Sequence, residues 1–489
     1  MTTEVQDELA ARWDEIGLEG TSERHLVVLP SMTIDIPRPL LARAALKLLT
    51  LEQRLICMLP LLLQPGTSLV YLTSAAVSPM VADYWFGLVP GLDTGEARRR
   101  LTLLSADDPS PRPLAAKLLE RAELLSRIRD LIPDPERAYM LPFHTNELDH
   151  QVAAPVGIPV YGVRPDLAQR FGSKSGARAV FADCGVPHPA GVSGVRSVDD
   201  VVAAIRSLQV DGRQAVDMVL KRDTGGGGHA NAILRTAHVG TDAELHYCVR
   251  ALRPDDRHTA PELFLSLLEQ VGGVVEELIT GPDVRSPSAQ LRISPAGEVE
   301  VLATHDQILA GATKQSYAGC RFPAYSEYAG DIAHQAVKVG RSLARSGVVG
   351  HVGIDFVVRR QCAWEIFAVE INPRMTGTLH HAYTLRLLTG GRYDPQDGLF
   401  RTLGGVPRCY VGLDEVAVPR GIGLEQLLDR ARSGDVAWDP VRQTGVVFQT
   451  VSGLAVSGKV GVTAIDSSPE EAQALLARTV RLLVALSAG

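Results

Sequence analysis

Along the first 160 residues, short apolar bursts alternate with stretches whose apolar positions recur at helical spacing. Residues 25–29 and 68–73 read as short buried strands, because each is a compact apolar run. Over 112–131 the side chains Leu114, Leu118, Leu119, Leu124, Leu125 and Ile128 fall at helical spacing, and the pattern stops before Pro133. Residues 138–143 and 158–163 read as strands again. This strand–helix–strand order predicts an α/β layer around a parallel sheet. No G-x-G-x-x-G follows the first strand, so nothing there assigns a dinucleotide.

From residue 166 the pattern changes. Helices are predicted over 173–184, which ends at Gly185-Val186-Pro187, and over 199–208, 261–270 and 331–345. Strands are predicted over 218–221 and 232–235, on either side of four glycines, and over 274–279, 354–358 and 366–371. Residues 290–293 and 299–303 pair as a hairpin across Pro295-Ala296-Gly297. The last hundred residues give an antiparallel pair, 445–451 and 455–465, and then a helix over 469–486. The expected organisation is an N-terminal α/β domain (1–165), an α+β core (166–392) and a small C-terminal α+β domain (393–489).

Composition removes several classes. A chain of 489 residues has room for two to four domains of roughly 150 residues. Its 45% hydrophobic and 21% charged residues fit folded cores rather than disorder. The net charge of −7 offers no global basic excess for a nucleic-acid backbone. The longest aliphatic stretch, 55–63, is interrupted by Pro60 and falls short of the roughly 20 apolar residues of a membrane span. The acidic N-terminus has no basic and apolar signal pattern, so a cytoplasmic protein is expected. Cys57, Cys184, Cys248, Cys320, Cys362 and Cys409 form no C-x-x-C pair and read as free thiols. Seven lysines stand against 42 arginines, so a lysine inside a motif is slightly more informative.

Three segments carry candidate chemistry. In Glu370-Ile371-Asn372-Pro373-Arg374, alternation puts Glu370 and Asn372 on one strand face. A carboxylate and an amide oxygen aimed together suit a hard cation such as Mg²⁺. Asp355, fifteen positions upstream on a neighbouring strand, would join them across a hairpin. Arg374, at the strand end, is placed to meet a phosphate. The second segment is Lys221 followed after three residues by Gly225, Gly226, Gly227 and Gly228. Glycine backbone can approach phosphates closely, but no Gly-Lys-Ser/Thr follows, so this is not a P-loop. The third is Glu276-Glu277-Leu278-Ile279 followed by Gly281-Pro282-Asp283. Free backbone groups at such a strand end can pair with an adenine edge, and the acid after the turn can accept from ribose hydroxyls.

Taken in order, these segments resemble the ATP-grasp superfamily over about residues 166–390. The resemblance implies an ATP-grasp core whose lid spans about 190–282. It implies Lys174 and Lys221 as nucleotide lysines, Gly225 to Gly228 as the phosphate-covering loop, Glu276 to Ile279 as the adenine linker and Asp283 as the ribose acid. It implies Asp355, Glu370 and Asn372 as Mg²⁺ ligands and Arg374 as the arginine near the γ-phosphate. The whole layout looks like the pheganomycin-type peptide ligases of secondary-metabolite biosynthesis, in which a pre-ATP-grasp domain precedes the core and a family-specific domain follows it. That implies a carboxylate–amine ligase working through an acyl phosphate, with ATP and Mg²⁺. The expected partners are a small carboxylic acid donor of guanidinoacetic-acid type and an amino-acid or peptide amine acceptor, with neither nucleic acid nor membrane. Arg292 is the candidate for orienting the donor carboxylate or the acyl phosphate. His305, Asp306 and Gln307 divide evenly between site lining and a structural turn, while His380 and His381 read chiefly as structural. Rival readings are another ATP-grasp reaction, including a carboxylase-type phosphorylation, and a non-catalytic ATP-binding regulator.

Overall fold

The computed structural model describes residues 3–32, 48–209, 216–225, 230–255, 259–310 and 316–485. Four parallel strands, β1 (Arg24–Leu29), β2 (Thr67–Thr73), β3 (Leu101–Ser105) and β4 (Ala138–Pro142), lie in the order β3-β2-β1-β4. A parallel sheet covered on both faces selects continuous apolar runs, and every position of β1 and β4 is buried. The helix expected over 112–131 is two helices, Leu114–Leu119 and Ala122–Asp130, which meet at Arg121 in non-helical backbone. The strand expected over 158–163 makes only an isolated bridge between Met140 and Val160. The aliphatic stretch is a buried 3-10 helix, Glu52–Leu63.

The second sheet is antiparallel. It contains β5 (Gly191–Val195), β6 (Met218–Arg222), β7 (Asn231–Leu234), β8 (Arg253–Pro254) and β9 (Gly273–Glu277), in the order β5-β9-β6-β7-β8. Val201, Ile205, Leu220, Phe264, Leu268 and Val275 belong to a hydrophobic core of its own. β9 ends at Glu277, two residues before the expected end, although the Leu278 amide still donates across to Asp217 O at 2.9 Å, the position next in register after Met218–Glu277.

The third sheet has nine strands. They are β10 (Val284–Arg285), β11 (Pro287–Ile293), β12 (Val299–Ala310), β13 (Ser316–Phe322), β14 (Gly350–Arg360) and β15 (Trp364–Asn372), then, after a small hairpin of β16 (Arg392–Asp394) and β17 (Leu399–Arg401), β18 (Cys409–Ala417), β19 (Gly445–Gln449) and β20 (Lys459–Asp466). β14 has β15 on one side and β10 and β11 on the other, and the sheet continues β11-β12-β13-β18-β20-β19. The amphipathic helix Ser326–Arg345 buries Ile332, Ala336, Val339 and Leu343. The strands of the C-terminal block therefore extend the core sheet, joined where Gly319–Phe322 pair with Tyr410–Leu413. Pairing there removes the open edge that β13 would otherwise present. Gly319 sits at this joint, where a Cβ would lie 2.1 Å from Gly412 O. The strand expected from residue 455 starts at Lys459, after a short helix, Gly453–Ser457. All six cysteines are free. Among the described residues, no helix is long and apolar enough to cross a membrane.

Candidate active site

β14 and β15 are antiparallel, and their register places Asp355 opposite Glu370 and Gly353 opposite Asn372. On the other side of β14, Asp355 faces Ser288, which in turn faces His305 of β12. Residues in register share a sheet face, so this row carries Asp355 and Glu370 side by side. Asp355 accepts from Asn372 Nδ2 at 2.9 Å and from Gln307 Nε2 at 2.9 Å. Arg374 Nη2 donates to Asn372 Oδ1 at 2.9 Å and Nη1 to Met375 O at 3.1 Å, which holds the guanidinium at the strand end. Lys174 Nζ pairs with Glu370 Oε1.

The electrostatics of the two facing carboxylates differ. Burial and the neighbouring Glu370 charge push Asp355 up to about 7. Burial also opposes the Glu370 charge, but Lys174 and then Arg374 outweigh it and hold that carboxyl below its ordinary value. Two adjacent carboxylates beside an amide oxygen form a hard oxygen set whose mutual repulsion a divalent cation would relieve, so the residues fit Mg²⁺.

Lys174 opens the helix Lys174–Asp183, which Ser173 caps through its hydroxyl. The same helix ties the core to the lid. The amide and hydroxyl of Ser175 donate to Asp223 at 2.8 and 3.0 Å. One turn on, Arg178 Nη1 pairs with Glu276 Oε1 at 2.7 Å and also donates to Pro189 O at 2.8 Å. Glu276 receives a second cation, Lys221 Nζ at 2.6 Å from Oε2. Burial disfavours its charge, yet Lys221 and Arg178 overcome that and lower its pKa.

Other expected residues are dispersed around this centre. Gly225 ends the described part of its segment with φ +122, and a Cβ there would lie 2.8 Å from Ala230 Cβ, so glycine is required. Gly226, Gly227 and Gly228 lie outside the described residues. The amide of Glu277 donates to Ala190 O at 2.9 Å, and Ile279 is nearly buried. Asp283 pairs with Arg285 at 3.0 Å, and its carbonyl accepts from the Arg360 amide at 2.9 Å.

Arg292 does not join the cluster. It lies four residues along β11 from Ser288, roughly 13 Å at strand rise. Its guanidinium pairs with Glu19 at 2.9 Å and Glu300 at 2.5 Å. Arg386 joins the same two carboxylates, so its charge is already matched far from the Asp355–Glu370 row. Strand alternation splits the polar triplet of β12: Gln307 reaches Asp355, whereas Asp306 accepts from Tyr328 and from the Tyr325 amide on the opposite face. His305 is buried, with Nε2 2.6 Å from Tyr410 Oη.

Sequence reasoning missed Arg178, although its position four residues after Lys174 puts it on the same helical face. It also missed Arg54, whose guanidinium pairs with Asp414. No local pattern marks that pair, since 360 positions separate the partners.

An antiparallel lid beside a larger sheet, a lysine on each, and an acidic–amide set closed by an arginine are the arrangement of an ATP-grasp enzyme. The chain belongs to the ATP-grasp superfamily: it is 31% identical over 430 residues to the L-propargylglycine–L-glutamate ligase of Streptantibioticus cattleyicolor, covering 86% of each chain. An IQCH-like ATP-grasp family model matches residues 254–396, and a PGM1 C-terminal domain model matches 426–479. The IQ motif-containing protein H of Danio rerio is 22% identical over 435 residues, which are 79% of this chain but only 40% of that protein. Among solved structures, a biotin carboxylase–ATP complex from Campylobacter jejuni superposes with TM-score 0.53 at 12% identity, covering 93% of this chain and 90% of that one. An ADP complex of N5-carboxyaminoimidazole synthetase from Staphylococcus aureus gives 0.51 at 10% identity, covering 94% and 97%. These two likenesses establish the fold alone.

Proposed function

We propose that this enzyme joins a carboxylic acid to an amine with consumption of ATP. The observation that carries the reading is the facing pair Asp355–Glu370 with Asn372 and Arg374, bracketed by Lys174 and, across the lid, Lys221. Asp355, Glu370 and Asn372 would hold Mg²⁺, which supplies charge neutralisation at the phosphates of ATP. Lys174 and Lys221 balance phosphate charge from the core and from the lid. Arg374 faces the γ-phosphate. Backbone from Glu276 to Ile279 receives the adenine, Asp283 the ribose, and the loop from Gly225 to Gly228 covers the triphosphate and excludes water.

A donor carboxylate oxygen attacks the γ-phosphorus, ADP leaves, and an acyl phosphate forms. The amine nitrogen then attacks the acyl carbon, phosphate leaves, and the nitrogen loses a proton. Positioning and charge neutralisation carry most of the catalysis, since phosphoryl transfer needs little covalent help from the protein. The donor class in this reading is a small acid of guanidinoacetic-acid type, and the acceptor an amino acid or short peptide. A second donor class, a free α-amino acid, is favoured by the relative named for ligating L-propargylglycine and L-glutamate. The setting is cytoplasmic, where ATP is supplied.

The test is ADP release with Mg-ATP, first with acids alone and then with acids and amines together. ADP formed only with both, and a product mass equal to their sum less water, would establish the ligase. ADP formed with bicarbonate and no amine would replace it with a carboxylase-type phosphorylation.

A further inference from the structure

Beyond Arg374 lies a second cluster of charged and polar groups that the reaction above does not use. Arg54, on the 3-10 helix Glu52–Leu63, pairs with Asp414 of β18. Behind Asp414 stand two imidazoles from the helix Leu379–Thr389: His381 Nε2 at 3.3 Å from Oδ1, and His380 Nε2 at 3.9 Å. Three segments far apart in the chain thus deliver one cation, one anion and two imidazoles to one place.

The arrangement is built rather than incidental. The β18–β20 ladder shifts register between Leu413 and Val416, and such a bulge re-aims the side chains at its position, here Asp414. His381 is locked from both sides: Nδ1 lies 2.6 Å from Thr463 Oγ1, which also accepts from Gln449 Nε2 at 3.1 Å. A Cβ at Gly412 would lie 2.7 Å from the His381 ring, so the backbone closes on it. The 3-10 helix is anchored through Glu52, whose carbonyl accepts from Tyr71 Oη at 2.6 Å and whose carboxylate accepts from the Ser74 amide at 2.7 Å. Gln53 accepts from the Ser452 amide at 3.3 Å, which fixes the other flank of Arg54 to the C-terminal block.

Two further facts point to a ligand. The side chains of Arg54 and Asp414 keep 11% and 13% exposure, whereas His380 and His381 keep 1% and 0%. The charged ends therefore stay partly open to solvent while the imidazoles lie sealed behind them. The pair adjoins the reaction centre: the Arg54 guanidinium lies 6.0 Å from the Phe143 ring centroid, Phe143 O accepts from the Met375 amide at 3.2 Å, and Met375 follows Arg374. Burial keeps His380 neutral, so it does not cancel the Asp414 charge, which Arg54 stabilises against burial. A divalent cation is the poorer occupant, because the guanidinium already compensates the single carboxylate.

We propose that Arg54 and Asp414 form a clamp for the zwitterionic head of an α-amino-acid substrate, with its carboxylate on Arg54 and its ammonium on Asp414. The pair exchanges an internal ion pair for two charge-assisted contacts of the same signs, so the net charge at the site is conserved. An ammonium held by an ionised carboxylate keeps its proton and is no nucleophile. The clamped head is therefore a spectator, and the molecule reacts at another group, placed towards Arg374. This inference rests on the amino-acid donor reading of the site, but its decisive readout is binding, which needs no turnover.

The test uses the full chain with ADP and Mg²⁺ present, titrated calorimetrically with each of the twenty proteinogenic L-amino acids and with L-propargylglycine. At least one should bind, and its N-acetyl and α-amide derivatives should bind about tenfold or more weakly. Asp414→Asn and Arg54→Gln should each weaken that ligand by a similar factor, while ADP affinity and the far-ultraviolet spectrum stay those of the parent. His381→Gln, which keeps the polar back wall, should have a smaller effect. Binding of no free amino acid overturns the clamp. So does binding that the blocked derivatives or both charge variants leave unchanged. A clamp that binds in an enzyme that never ligates would retain this inference and defeat the ligase reading, so the two failures are distinct.

Discussion

Two lysine–glutamate pairs, one in the core and one in the lid, look alike and are built for different ends. Lys174 meets Glu370, which retains 27% side-chain exposure and stands opposite another carboxylate. Lys221 meets Glu276, which retains 3% and is shared with Arg178. In the core, Glu370 pairs with Lys174 while the facing Asp355 is met by the amides of Asn372 and Gln307 and Arg374 is tied to Asn372 and Met375 O, so a carboxylate without a contacting cation is left for a metal. In the lid, one acid faces two cations, so positive charge is left over for the nucleotide. The group each site leaves over, a carboxylate in the core and a cation in the lid, is what the proposed chemistry uses. Buried pairs contribute little net stability but are costly to break on one side, and here that cost is the scaffold on which the excess charge is held.

The contrast can be broken or sharpened by substitution. The largest effect is expected from Glu370→Gln, which removes a proposed metal carboxylate: turnover should fall by roughly a thousandfold or more, about 4 kcal/mol in activation energy, with thermal unfolding close to the parent. Full activity in a steady-state assay of that variant would remove Glu370 from the metal set. Glu276→Gln should act in the opposite sense, on folding first. It strands two cations against a closed surface, and equilibrium urea unfolding should show a loss of about 3 kcal/mol. Lys221→Ala removes the lid's excess cation while Arg178 still satisfies Glu276. ATP should then bind roughly tenfold to a hundredfold more weakly, about 1.4 to 2.7 kcal/mol by calorimetry, with little change in stability. The smallest effect is in the acid limb. Because the folded pKa of Glu276 lies below the ordinary 4.5, the folded state binds fewer protons there than the unfolded chain. Its stability contribution is complete above 4.5 and is lost as pH falls through the folded value. Unfolding free energy should therefore decline more steeply below that pH in the parent than in Glu276→Gln.

How much was legible beforehand depends on distance along the chain. The strand pair carrying Asp355 and Glu370 was readable because period-two alternation and a short connection leave one arrangement. The lid strands were readable because glycines mark the turn and β-branched runs mark the ladder. Strands β13 and β18 were not, since Ser-Tyr-Ala-Gly-Cys-Arg-Phe lacks clean alternation and the glycines at the joint serve a close backbone approach rather than a turn. Arg292 shows the converse. Its place on a strand next to the site suggested a substrate role, but strand length carries it away from the Asp355 row, and Glu19 and Glu300 hold it there.

The sequence alone determined the α/β and α+β layers, the glycine-bearing lid hairpin and the Asp-Glu-Asn-Arg set, because each depends on periodicity or on partners within one supersecondary unit. Tertiary structure alone decided that Lys174 and Arg178 of one helix serve different glutamates, that the C-terminal strands complete the core sheet, and that Arg54 meets Asp414. Those contacts close loops of up to 360 residues, and no local pattern encodes them. They are chosen by the packing of whole sheets and helices, which must also offset the entropy of closing such long loops.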